Sequence, residues 1–494
     1  MASNIQQLHF VLVPLMSQSH IIPLTDFGKL LAQRGVVVTM ITTPLNAVRC
    51  KPIIDGAQNA NLNIQLASLH FPTREVGLPE GVENLDELSM KSLKTLGINF
   101  FQANEMLREP LEKLLAEMVP RPSCIISTDA LPWTNEVAWK FKIPRYSFNT
   151  ISCFSLVLFH KLKISRVHES VTSDSESFVV PGLPDKIELK RSQLPEWVKR
   201  TSNDNNSHVM DKLKATEHLP RGVLVNTFEE MEPRYVEEFK KQEKLVFCVG
   251  SVSLCNTDQS DMSSRGNKAS VEEDSCLKWL DSMKPCSVIY VCFGSLSNIP
   301  YPQLIELGLG LEASNRPFIW IIRKGDYSPR LEKWLEEYRF EEKVKGRGLI
   351  IRGWAPQVLI LSHPSVGGFF THCGWNSILE AVCEGMPMIT WPMFAEQFYN
   401  ERFVVDVVKI GVPVGVEEAL TSVEDEEKFE LLVTSSQVKE AIDELMDGED
   451  AGERRKRARE LGEKAKKAIE DGGSSYLYIT NLIEDVRQQN SSRF

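Results

Sequence analysis

Nothing in this 494-residue chain approaches the roughly 18 consecutive apolar residues that a membrane-spanning helix needs, so no transmembrane segment is predicted. No basic region precedes the first apolar run, residues 9–15, which is too short and too interrupted by Pro14 to be a secretory signal. A soluble cytoplasmic protein is expected. An excess of positive charge is missing: 56 Lys and Arg against 67 Asp and Glu leave a net charge of −11, which argues against nucleic acid or an anionic membrane as partner. The ten cysteines are scattered with no Cys-x-x-Cys pair, the pattern of reduced thiols rather than of a disulfide framework. His372-Cys373 suggests a metal-ligand pair, but no second pair has suitable spacing, so no metal is expected. Gly-x-Gly-x-x-Gly is absent after the apolar runs 8–15 and 288–293, which counts against a nicotinamide-dependent oxidoreductase. No repeat of solenoid period is present.

What is present is an alternation of short apolar runs with helical patterns, in a chain that is 42% hydrophobic and too long for one ordinary core. Residues 8–15 read as a strand, 21–33 as a helix closed by Gly35, and 36–42 as the next strand, a βαβ start. Strand, loop and helix recur at 123–127, 128–132 and 133–141, and runs 222–228 and 245–250 read as further strands. Residues 251–274 are rich in Ser, Asn, Asp and Gly with almost no apolar periodicity, and read as a mobile interdomain linker. Beyond it, strands are expected at 288–293, 317–323, 348–352, 366–371, 388–391 and 412–417, and helices at 301–313, 377–384 and 398–407. The charge-rich helix 451–470 reads as a solvated face, and Gly472-Gly473 separates it from a last amphipathic helix, 474–489. The fold class is therefore α/β: two doubly wound parallel sheets, with a first domain at 1–250, the linker at 251–274, a second domain at 275–470 and a C-terminal segment at 471–494. In such sheets ligands collect at the C-terminal ends of the strands, which singles out His20, Asp129 and Ser295.

The most informative stretch runs from Trp354 to Gln397. Residues 366–371 are a buried-strand run, and His372-Cys-Gly-Trp-Asn-Ser377 is a turn that opens a helix. Gly374 permits close backbone approach, Asn376 and Ser377 suit a cap position, and the positive end of the helix dipole makes an anion site suited to a diphosphate. Glu380 lies about one turn further along the face of Ser377, where a carboxylate can accept from a pair of hydroxyls. Trp354 offers a flat face to a base, and Glu396-Gln397 supplies the acceptor and amide that sugar hydroxyls require. Taken singly, each feature also occurs in strand-turn-helix units that are structural only.

Together these residues resemble the plant secondary product glycosyltransferase box, the C-terminal signature of plant UDP-sugar-dependent glycosyltransferases. The match covers Trp354, Gln357, His372 to Ser377, Glu380, Pro387, Trp391, Pro392 and Glu396-Gln397. The resemblance implies two facing Rossmann-like domains of the GT-B type, with the C-terminal helix crossing back onto the first. It implies that Trp354 stacks on uracil, Gln357 and Glu380 hold the ribose, Ser295, His372, Asn376 and Ser377 bind the diphosphate, and Glu396 and Gln397 hold the sugar; Ala355 and Trp375 complete the donor-side set. A final Gln is associated with glucose as donor sugar. The family's catalytic base is the His of the first loop, here His20 in His20-Ile-Ile-Pro23, and an Asp in the loop after the run corresponding to 123–127 steadies it.

Two departures from the family pattern stand out. Ser19 occupies a position usually Gly, and, aligned on Leu131-Pro132-Trp133, Thr128 occupies the usual Asp position, with Asp129 one residue later. Asp129 is the candidate partner of His20, and a helix-capping role is its alternative. The expected activity is inverting transfer from UDP-glucose, as co-substrate with no cofactor, to a small lipophilic acceptor by a monomeric enzyme, giving a β-glucoside. Triterpenoid or steroid acceptors rank first and flavonoids second. A non-catalytic binder of lipophilic metabolites, or a transferase using UDP-xylose or UDP-glucuronic acid, is the alternative.

Overall fold

A computed structural model describes residues 7–199, 218–270, 273–297, 299–323, 328–420 and 430–491. Residues 1–6, 200–217, 271–272, 298, 324–327, 421–429 and 492–494 of the segments delimited above lie outside it. Strands β1 (His9–Val13), β2 (Val37–Thr42), β3 (Ile64–Ser68), β4 (Cys124–Thr128) and β5 (Arg145–Asn149) are followed by a short antiparallel pair, β6 (Ser177–Val179) and β7 (Glu188–Lys190), and then by β8 (Gly222–Val225) and β9 (Val246–Cys248). The first sheet has seven parallel strands in the order β3-β2-β1-β4-β5-β8-β9. The second is also parallel, six strands in the order β12-β11-β10-β13-β14-β15, from β10 (Val288–Cys292), β11 (Phe318–Ile322), β12 (Gly348–Arg352), β13 (Val366–Thr371), β14 (Met388–Thr390) and β15 (Gly411–Pro413).

Central strands such as β1, β4 and β13 are buried along their whole length, because helices cover both faces of each sheet. That double cover is why they read as continuous apolar runs rather than as alternating ones. Each strand order reverses once, between β1 and β4 and between β10 and β13, and the two crevices so formed face each other.

The last helix, Ser474–Ser491, sends Ile479, Leu482, Ile483 and Val486 into the core of the first sheet. Its Asp485 accepts from Arg221 Nε at 2.6 Å and from the Tyr146 hydroxyl. The stretch read as a mobile linker is folded where it is described. It carries a 3-10 turn at Val252–Cys255 and a short helix at Gln259–Ser263, and it buries Val252, Cys255, Asn256 and Arg265. Local composition gave no sign of this, because the partners that hold the stretch lie far away in sequence.

Candidate active site

One wall of the cleft is made where chain leaves β10 and β13, which are neighbours with Cys292 opposite Thr371. Gly294-Ser295 and His372-Cys373-Gly374 therefore meet. A Cβ added to Gly294 or Gly374 would run into the His372 ring, so both positions need glycine for packing. Helix Trp375–Cys383 begins at once, with Gly374 as its N-cap and no side-chain cap hydrogen bond. This corrects the expectation of a cap at Asn376 or Ser377: these are the second and third helical residues, and no cap side chain takes the first-turn N–H groups. His372 is 9% exposed, and burial, with the Arg323 guanidinium adding to it, pushes its imidazole down to about 3. At neutral pH it is an uncharged N–H donor. The positive charge comes from Arg323, whose Nη1 also holds the Gly294 carbonyl at 2.7 Å.

One helical turn on, Glu380 Oε2 accepts from Gln357 Nε2 at 2.7 Å, and the same amide donates to Ser377 Oγ at 3.1 Å. Glu380 Oε1 accepts from Arg265 Nη1. Gln397 Oε1 accepts from the backbone N–H groups of Met393 at 2.9 Å and Phe394 at 3.2 Å, which fixes the amide and leaves its NH2 as a donor. Burial, reinforced by the charge of Asp129, raises the Glu396 carboxyl. Trp354 is half-buried, with its backbone tied to Ser270 by bonds of 2.9 and 2.8 Å. Ala355 is buried beside it, and the buried Trp375 donates from Nε1 to the Asn226 carbonyl at 2.7 Å, joining the two halves of the molecule.

Across the cleft, β1 and β4 pair with Val13 opposite Ser127, so their exit loops are adjacent. Helix Gln18–Gln33 starts two residues before His20, placing the imidazole in its first turn. Asn376 Nδ2 donates to the Ser19 carbonyl at 2.8 Å, drawing that turn against the start of helix Trp375–Cys383. Burial lowers the His20 imidazole, and the carboxylates of Asp129 and then Asp86 oppose the shift. His20 Nδ1 has no hydrogen-bond partner among the described residues. Thr128 faces the interior, where its Oγ1 accepts from Leu15 N at 2.9 Å, whereas Asp129 is exposed to the cleft. The one-residue displacement of the carboxylate thus leaves it on the cleft wall beside the His20 loop.

A single cavity of about 1250 Å3 touches His20, Asp129, Ser295, Trp354, Ala355, Gln357, His372, Trp375, Asn376, Ser377, Glu380, Glu396 and Gln397. The same cavity is also lined by the apolar Phe101, Ile151, Leu156, Phe159, Trp197 and Val198, with Lys163, Arg166, His168 and Glu169 among them. Phe159 and Trp197 line the cavity, whereas Phe148 and Phe154 are fully buried in the core. Among the described residues no group of three His, Cys, Asp or Glu is arranged to hold a metal ion, and no helix is long and apolar enough to cross a membrane.

The family model described as UDP-glucoronosyl and UDP-glucosyl transferase matches residues 271–447. UDP-glycosyltransferase 73C3 of Arabidopsis thaliana is 49% identical over 484 residues, covering 97% of this chain and 96% of the relative. The chain belongs to the UDP-glycosyltransferase family. UDP-glycosyltransferase 73C11 of Barbarea vulgaris is 48% identical over 97% of both chains. Among solved structures, Glycyrrhiza uralensis UGT73P12 complexed with glycyrrhetinic acid 3-O-monoglucuronide superposes with a TM-score of 0.88 at 37% identity, covering 99% of this chain and 97% of that one. Arabidopsis thaliana UGT89C1 complexed with UDP-L-rhamnose gives 0.72 at 28% identity, over 98% and 100%. This UDP-glycosyltransferase is accordingly a GT-B transferase that takes a UDP-sugar as co-substrate. Sequence reasoning missed Arg265, Arg323 and Asp86, because nothing in their local sequence distinguishes them from other charged surface residues.

Proposed function

We propose that this UDP-glycosyltransferase is an inverting O-glucosyltransferase that joins glucose from UDP-glucose to a hydroxyl of a small lipophilic acceptor, with triterpenoids or steroids first and flavonoids second. The observation that carries the reading is the contact between Asn376 and Ser19, which holds the His20 turn against the donor helix within one cavity. The acceptor hydroxyl gives its proton to the His20 imidazole as its oxygen attacks the anomeric carbon. The bond from that carbon to the diphosphate oxygen breaks, the electron pair leaves with UDP, and the carbon inverts. Asp129 steadies the imidazolium, and the helix start, the His372 N–H and Arg323 take up charge on the departing diphosphate. The oriented Gln397 amide supports glucose as the sugar, and the apolar side chains lining the cavity support a polycyclic acceptor. The triterpenoid glucuronide bound by the Glycyrrhiza uralensis relative supports the ranking of acceptors. The free state of all ten cysteines supports a cytoplasmic location.

The test is a mass-spectrometric assay of purified protein with triterpenoid, steroid and flavonoid acceptors, offered UDP-glucose, UDP-galactose, UDP-xylose and UDP-glucuronic acid in parallel. A product heavier by one hexose with UDP-glucose is expected, and His20→Ala should lower turnover by roughly 10²- to 10⁴-fold. A loss of less than tenfold removes His20 from the role of base. UDP-glucose bound but never consumed would favour a non-catalytic binder.

A further inference from the structure

We propose that Arg265, in the stretch that connects the two sheets, is a positioning residue for the ribose of the UDP donor, acting through Glu380. The inference rests on the assignment of Glu380 to the ribose hydroxyls. The Arg265 side chain is 7% exposed and forks between two carboxylates: Nε donates to Asp26 Oδ2 at 2.8 Å, and Nη1 donates to Glu380 Oε1. Asp26 is completely buried on helix Gln18–Gln33, and its other oxygen accepts from Asn256 Nδ2 at 2.9 Å. Asp26 therefore serves as a fixed anchor belonging to the first sheet. Glu380 lies on the donor helix at the cavity wall.

An ionised carboxylate has about four acceptor positions. At Glu380 one is taken by Arg265 and one, on the other oxygen, by Gln357 at 2.7 Å. The remaining position on each oxygen gives two adjacent acceptors, the complement of a vicinal diol. A carboxylate held at one oxygen alone would rotate about its Cγ–Cδ bond and present the pair in no fixed plane. Arg265 and Gln357 grip opposite oxygens and remove that freedom, so the orientation need not be established when the nucleotide arrives. The planar fork of arginine allows one side chain to meet both Asp26 and Glu380; a lysine ammonium has no such geometry. The same connecting stretch continues along Trp354, where a Cβ added to Gly266 would overlap the indole and Ser270 pairs with the Trp354 backbone. The geometry of the donor's nucleoside site is thus set partly from outside the second sheet.

The experiment compares UDP with 2′,3′-dideoxy-UDP by titration calorimetry on wild type, Arg265→Met and Arg265→Lys, with thermal melts to check folding. Wild type should prefer UDP by about tenfold or more, the worth of hydrogen bonds to a charged acceptor. In Arg265→Met the preference should collapse to within about twofold, while dideoxy-UDP binds within about threefold of its wild-type affinity. Should Arg265→Met fail to fold, Arg265→Lys must show at least half of that collapse on a logarithmic scale. In turnover, KM for the UDP-sugar should rise with acceptor KM unchanged. A variant that weakens both nucleotides equally, or that keeps the full preference, overturns the inference. Equal wild-type affinity for the two nucleotides would instead overturn the ribose assignment itself, and the inference with it.

Discussion

Gly374→Ala isolates the packing on which the diphosphate end of the site depends. Gly374 has φ −64° and ψ 135°, a conformation alanine adopts freely, so the substitution carries no backbone strain. Its cost is steric: the new methyl would lie 2.9 Å from His372 Cε1 and 3.3 Å from Cδ2, and closer still to Nε2. Gly294 lies against the same ring, so His372 must shift from its place to make room. Overpacking of this kind costs about 1–3 kcal/mol. Loss of an N–H donor to a charged diphosphate costs about 1.5–3 kcal/mol more in binding, or roughly a 10- to 100-fold rise in the UDP dissociation constant. Gly294→Ala should be worse, because its φ of +72° adds about 1–2 kcal/mol of left-handed strain. Gly35→Ala is the control for strain alone, since Gly35 has φ +77° and nothing within 4 Å of an added Cβ. Calorimetric UDP titrations beside thermal melts separate the cases. Gly35→Ala should lower the melting temperature with UDP affinity unchanged, whereas Gly374→Ala should lower both. A folded Gly374→Ala protein that binds UDP within twofold of wild type would refute the claim that glycine packing holds His372 in the donor site.

Burial lowers His20 below its ordinary 6.5, and a general base works in its neutral form, so the acid limb of kcat/KM should fall below pH 6.5. Asp129→Asn removes the larger opposing charge; it should move that limb further towards acid while reducing turnover, and an acid limb above pH 6.5 in wild type would contradict the assignment. Thr128→Val leaves the buried Leu15 N–H without its acceptor and should cost about 1–3 kcal/mol of stability, read as a lower melting temperature, with UDP affinity unchanged and Thr128→Ser close to wild type. Burial also depresses His372, to about 3, so the unfolded chain takes up a proton that the folded imidazole refuses as pH falls below 6.5. Stability should therefore be lost with falling pH from that point, and His372→Gln should flatten this part of the profile in a melt series.

The two sheets were legible in the sequence because parallel strands covered on both faces must be apolar along their length. Strands β12 and β13 and helix Tyr301–Ala313 have the boundaries that their patterns predict. The pattern failed where polar residues lie inside. Strand β5 was not read as a strand, since Arg145 opens it; that side chain is buried only because Ser127 Oγ, Asn135 Oδ1 and the Thr128 carbonyl accept its N–H groups. Strand β3 carries Gln65 and Ser68 on the edge of its sheet and lacks the expected run for the same kind of reason.

The grouping of the proposed donor-site residues was legible for a different cause: they fall on one strand-turn-helix and the strand after it, so spacing along the chain fixes their spacing in space. Residues 354–397 determined by themselves that Trp354, Gln357, His372, Glu380 and Gln397 would line one cavity. What only the tertiary structure decided was how distant segments complete it. Thr128 turns inward to Leu15 while Asp129 meets the cleft, and Asn376 reaches the Ser19 carbonyl 357 positions away. Arg265 joins Asp26 and Glu380 across separations of 239 and 115 residues. No local periodicity encodes such contacts, because a buried charge or amide is stable only when its partner arrives, and the partner is set by how the two sheets face each other.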